Sequence, residues 1–149
     1  MSSSFSSDPH HPRIVAGRYQ IVRKIGSGGM GAVVLARQVN VGNQVAIKFL
    51  PAHLADDADL RRRFEREAAL TLQVTHPGAA QLLDAGQNDD GRLYLVFEFV
   101  EGDDLSTLLD RDGALAYDEA FAVTLKVAEA LAYANHKGVG ERQIGRAHV

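Results

Sequence analysis

The chain of 149 residues contains no cysteine. This removes a disulfide frame, a thiolate metal site and a thiol nucleophile together, and it fits a reducing compartment. No apolar run approaches the roughly 18 residues of a membrane span, and the first residues lack the apolar core of a signal peptide. The expectation is a cytoplasmic chain with no membrane span in this part. Positive charge is not in excess either, with a formal net charge of −3 and a pI of about 6.0. No overall field draws such a chain to polyanions, so no nucleic-acid partner is expected. What is present is 46% apolar residues over about one domain's length, enough to bury a real core.

Residues 1–12, rich in serine, proline and histidine, offer almost nothing to repay the entropy of ordering. A flexible arm is expected over residues 1–17. The adjacent His10 and His11 in such an arm read more readily as solvated side chains than as metal ligands.

The most informative stretch is Ile25-Gly26-Ser27-Gly28-Gly29-Met30-Gly31-Ala32-Val33. Its glycines at 26, 28 and 31 have a spacing that exposes backbone N–H groups to a phosphate. A dinucleotide-binding turn has the same three glycines, but there a helix begins inside the motif and an acid follows about 20 residues on. Here Ala32-Val33-Val34-Leu35-Ala36 is β-branched and apolar, and Phe49-Leu50-Pro51-Ala52 contains no acid. A Walker loop would place Lys and Ser or Thr after Gly31, where Ala32 stands. The glycines are therefore expected at the tip of a β-hairpin.

Strands are expected over residues 19–25, 32–38 and 45–50, forming an antiparallel meander. Val45-Ala46-Ile47-Lys48 then ends a short apolar strand with a lysine, which puts a point charge on a rigid element. In isolation such a lysine simply reaches solvent; after the glycines it suits phosphate. A helix is expected over 56–74, with Leu60, Phe64, Ala68 and Thr71 forming its apolar stripe. At about 100° per residue Glu67 falls on that stripe between Leu60 and Ala68, and Glu65 falls well away. An inward carboxylate without a partner would cost several kcal/mol, of the order expected for an uncompensated internal charge, and Lys48 is the nearest candidate partner. If the helix start is misplaced, Glu67 instead lies on a solvated face with Arg63 and Arg66 as neighbours; Arg61, Arg62, Arg63 and Arg66 mostly form the polar face of the helix. His76-Pro77-Gly78 ends the helix. Two more strands are expected over 80–85 and 92–100, then helices over 104–111 and 117–137. The last is apolar almost all round, needs cover on several sides and is closed by Gly138.

Over residues 19–139 this order and spacing resembles the front half of a eukaryotic-type serine/threonine protein kinase of the bacterial branch. The resemblance implies an α+β fold: a kinase-like N-lobe and hinge over 18–100, with a five-stranded antiparallel sheet plus helix C, then the first two helices of a truncated C-lobe over 101–139. It implies that Ile25, Gly26, Ser27, Gly28, Gly29, Met30 and Gly31 form the hairpin covering the phosphates of ATP. Lys48 would hold the phosphates and Glu67 would be the helix-C glutamate paired to it. Val33 and Ala46 would sandwich the adenine, Phe97 would be the gatekeeper, and the backbone of Glu98 and Val100 would form the adenine-binding hinge. Asp104 lies where the family often contacts ribose. Asn135-His136-Lys137-Gly138-Val139 resembles the lead-in to the catalytic loop.

The pattern then departs from the family. In place of an apolar residue and His-Arg-Asp the chain has Gly140-Glu141-Arg142-Gln143, and Gln143 cannot accept a substrate hydroxyl proton. The Asn and the D-F-G Asp that hold Mg²⁺ in the complete kinase are not in this chain. Residues 144–149 read as the translation of a common sequencing adapter, so the tail over 140–149 is expected to be non-native. The parent is expected to use ATP and Mg²⁺ on a protein substrate, and the chain alone is expected to be inactive. The alternatives are a pseudokinase or regulatory nucleotide-binding module, in which Gln143 is genuine, and a dinucleotide-binding enzyme, which requires a helix from Gly31 onward.

Overall fold

A computed structural model describes residues 13–28 and 31–139. The expected tail over 140–149, most of the N-terminal arm, and Gly29 and Met30 lie outside the described residues. Six strands form one antiparallel sheet: β1 (Ile14–Val15), β2 (Tyr19–Gly28), β3 (Gly31–Gln38), β4 (Gln44–Phe49), β5 (Leu82–Gln87) and β6 (Leu93–Glu98), in the order β1-β2-β3-β4-β6-β5. The sheet has one strand more than the five expected. β1 comes from the stretch assigned to the flexible arm, and its two residues are too few to show a period of two.

Gly31 opens β3, a strand and not a helix, which removes the dinucleotide-binding reading. Two register shifts in β2, between Ile21 and Arg23 and between Lys24 and Gly26, are β-bulges that add twist. The sheet curls far enough that side chains on β2 reach β5, with three strands between them in the sheet order. The Tyr19 hydroxyl donates to Asp84 Oδ2 at 2.9 Å. One face becomes a sealed interior of Val15, Tyr19, Val34, Ala36, Val45, Ile47, Phe49, Tyr94 and Val96. Each large apolar side chain buried this way contributes about 1.5–3 kcal/mol.

The helix expected over 56–74 is α2 (Ala58–Thr71), preceded by a short α1 (His53–Asp56) that was not expected. Asp57 separates them, because its extended backbone and its carboxylate, accepting from the N–H groups of Asp59 and Leu60, make it the N-cap of α2. Ala68 and Thr71 are buried and Leu60 and Phe64 half-buried, so the expected stripe is the inward face. α3 (Leu105–Asp112) and α4 (Tyr117–His136) follow. α4 ends in a Schellman arrangement: Val139 N–H donates to the Ala134 carbonyl at 3.0 Å, Gly138 N–H to that of Asn135 at 3.0 Å, and Gly138 has a φ of 80°. Val139 packs with Ala134 and Val74, flanked by Leu70 and Tyr133, which joins the end of α4 to the segment after α2. The rest of α4 is poorly covered. Tyr117, Phe121 and Leu125, four residues apart, are 88%, 62% and 48% exposed.

Candidate functional site

The register across the sheet decides which side chains share the face opposite the sealed interior. Val33 pairs with Lys48 and Lys48 with Leu95; Leu35 pairs with Ala46 and Ala46 with Phe97. Directly opposed residues in an antiparallel sheet point to one face, as do residues two apart along a strand. Val33, Ala46, Lys48 and Phe97 therefore stand in two adjacent rows on one face, with Leu35 and Leu95 between them. Leu35 and Leu95 were not singled out from the sequence; the signal was there in their even spacing from Val33 and Phe97, but only pairing register turns it into a shared surface.

Gly26 pairs with Val33 and extends the Lys48 row to β2. Ser27 pairs with Ala32 and Gly28 with Gly31, so the two described ends of the glycine segment run as a paired antiparallel hairpin, with Gly29 and Met30 outside the described residues. Ile25 falls in the second bulge and is half-buried. The glycines are not equivalent. A Cβ on Gly26 would only touch that of Val33, at 3.7 Å. On Gly31, at a φ of 115°, it would stand 1.9 Å from the Phe49 carbonyl oxygen. Gly31 is demanded by the close approach of β3 to β4 even before any ligand is considered.

Glu67 is exposed, contrary to the inward direction expected for it. At about 100° per residue it lies some 20° outside Leu60, on the margin of the stripe and not between Leu60 and Ala68 as expected, and a side chain that long carries its carboxylate from there into water. Lys48 is half-buried, and no ion pair within 4.0 Å joins it to Glu67 among the described residues. α2 packs on β5, and Glu67 contributes its carbonyl to the Thr71 hydroxyl at 2.8 Å.

At the end of β6, Glu98 and Gln81 hold each other twice. Glu98 N–H donates to the Gln81 carbonyl at 3.0 Å, and Gln81 N–H donates to Glu98 Oε1 at 2.9 Å. Two residues later the Val100 backbone makes no hydrogen bond among the described residues. Asp104 is the N-cap of α3, accepting from Thr107 N–H at 2.8 Å, which is a structural role independent of any ribose. Behind it Arg111 pairs with Asp103 at 2.6 Å and Asp112 at 2.8 Å, which lowers the Asp112 carboxyl below its usual range. No group of three or more His, Cys, Asp or Glu side chains suited to a metal occurs among the described residues. Nor is any described helix long and apolar enough to cross a membrane.

Comparison with known proteins gives this geometry a context. The family model described as "Protein kinase domain" matches residues 19–144. The chain is 38% identical over 130 residues to the serine/threonine-protein kinase PrkC of Bacillus subtilis, covering 87% of this chain and 20% of that protein. It is 39% identical over 131 residues to the serine/threonine-protein kinase pkn2 of Myxococcus xanthus, covering 88% of this chain and 16% of that protein. The chain thus spans about a fifth of the length of these curated relatives. Among solved structures, the kinase domain of Mycobacterium tuberculosis PknI superposes with a TM-score of 0.77 at 33% identity, over 91% of this chain and 54% of that one.

Proposed function

Because the chain belongs to the protein kinase domain family, we propose that its parent transfers the γ-phosphoryl group of ATP to serine or threonine hydroxyls of a protein, and that this chain supplies the nucleotide-binding portion. The observation that carries the reading is the single face on which Val33, Ala46, Lys48 and Phe97 stand in adjacent rows. The residues suit ATP in kind and order. Val33 and Ala46 offer small apolar surface for a planar base, the Val100 backbone offers a donor and an acceptor for its edge, and Phe97 bounds the depth of the cleft. Lys48 extends from a strand fixed on both sides and holds the α- and β-phosphates, while the glycine hairpin presents N–H groups from above. ATP supplies the phosphoryl group; these residues bind and orient it. In the complete kinase Glu67 is expected to pair with Lys48, a pair absent among the described residues.

The residues that would hold Mg²⁺ and accept the hydroxyl proton belong to the remainder of the domain, so the chain by itself is inactive and binds nucleotide weakly. Gln143, standing where the family has its catalytic Asp, favours a second reading as a pseudokinase or regulatory nucleotide-binding module. The complete gene separates the two, since an Asp at that point followed by an Asn and D-F-G is expected for the enzyme. In the completed kinase, Lys48→Met is expected to abolish most transfer from labelled ATP to protein while leaving the circular dichroism unchanged; undiminished transfer would refute the role given to Lys48. Calorimetry on the monomeric chain showing micromolar ATP affinity would overturn its status as half a site.

A further inference from the structure

We propose that residues 13–18 are a strap that seals the closed face of the sheet and, from behind, fixes the strand that carries Lys48. The structural unit then begins ahead of the family match, which starts at residue 19.

Val15 is 2% exposed and lies in the same core cluster as Ile47, Phe49 and Tyr94. The segment is tied at successive points. Ile21 N–H donates to the Arg13 carbonyl at 2.9 Å, and Ala16 N–H donates to Asn88 Oδ1, in the turn between β5 and β6, at 3.1 Å. The Arg18 guanidinium pairs with Asp84 on β5 at 2.9 Å and donates to the Tyr94 hydroxyl on β6 at 3.2 Å. These partners sit at the opposite end of the sheet order from β1 and β2. The strap therefore joins the two ends of a curled sheet across its interior. Two further features show that the position is specified. Ala16 is held at a φ of 49°, a left-handed conformation that a residue with a side chain keeps only where its surroundings over-determine it. A Cβ on Gly86 would lie 2.9 Å from the Tyr94 hydroxyl oxygen, so the residue beneath that hydroxyl has no room for a side chain.

Tyr94 pairs with Phe49, while Lys48 pairs with Leu95, so the strap and its partners lie on the face opposite the lysine. Their effect on Lys48 is a positioning one, through β4 and β6. The inference concerns the apo chain and stands whether or not nucleotide binds.

Hydrogen exchange on the full 149-residue chain tests it, comparing the wild type with the double variant Arg18→Met, Asn88→Ala. Losing one charge-assisted and one neutral anchor is expected to speed exchange in β4 and β6 about tenfold, with α4 unchanged. Unchanged protection in β4 and β6, or equal acceleration of α4 with them, overturns the strap. Should the double variant fail to fold, Asn88→Ala alone is read the same way. About threefold faster exchange confined to β4 and β6 then supports the strap, and wild-type rates there overturn it.

Discussion

On β4 the side chains of Val45, Ile47 and Phe49 are sealed to 3% exposure or less, whereas Ala46 and Lys48, alternating with them, stay partly open. The sealed face is closed by sheet curl, by the segment containing β1 and by the Tyr19–Asp84 and Arg18–Tyr94 contacts. The opposite face is covered only in part: Leu35 is 4% and Leu93 2% exposed, while Ala46 and Lys48 are half-buried. One strand therefore has two unlike sides: its closed side supplies folding free energy and rigidity, and the other carries the residues proposed above to bind nucleotide. Substitutions on alternate residues should then divide cleanly into those that cost stability and those that cost binding.

The largest effect is expected at Ile47. Ile47→Ala leaves a cavity in the sealed interior and should lower stability by about 2–5 kcal/mol, read as a shift in the midpoint of urea unfolding. A loss under 1 kcal/mol would show that the closed face is not well packed. Next comes the pair of glycines. Gly31→Ala forces a Cβ onto the Phe49 carbonyl and should cost about 3 kcal/mol, while Gly26→Ala should stay within about 0.5 kcal/mol in the same melts.

The Tyr19 hydroxyl gives a pH signature for the closed face. Burial, and then its hydrogen bond to Asp84, push its pKa up from 10.0 to about 12. The folded chain keeps this proton where the unfolded chain releases it, so the group favours folding fully below pH 10 and loses that contribution as pH rises through 12. Relative to Tyr19→Phe, the wild type should lose on the order of 2 kcal/mol between pH 9 and 12. Parallel curves for the two proteins would mean the hydroxyl is not sequestered. Lys48→Met, like Gly26→Ala, is expected to change stability by no more than about 0.5 kcal/mol, although its effect on phosphoryl transfer in the completed kinase should be the greatest of all.

Much of this was readable from the sequence where the signal was local. The hairpin followed from glycines flanked by β-branched residues, and the end of α4 from Gly138 followed by Val139. The inward stripe of α2 followed from four positions at helical spacing. Non-local features were less legible. β1 is too short to show a period, and it is a strand only because β2 lies beside it and Val15 finds the core. Asp57 looked like the second residue of the helix, yet its side chain bonds to the N–H groups ahead of it and makes it the cap from which α2 starts. Glu67 is the most instructive case. Helical phase gives the direction of a Cα–Cβ bond, but the path of a long charged side chain and the rotation of α2 against the sheet depend on contacts no single segment contains. The two rows of site residues were legible as residue types, and only register made them one surface.

The reciprocal Gln81–Glu98 bonds also have a mechanical meaning. They clamp the last residue of β6 to the chain entering β5, so the sheet ends in a stiff stub and not in a fraying strand. Beyond it, Val100 carries no backbone bond among the described residues, and Gly102 sits at a φ of 119°, which side chains rarely adopt. Compliance is thereby confined to a few bonds, as in a lever with one end bolted. Displacement of α3 relative to the sheet is therefore expected to pivot just past Glu98, where the chain carries the fewest backbone bonds.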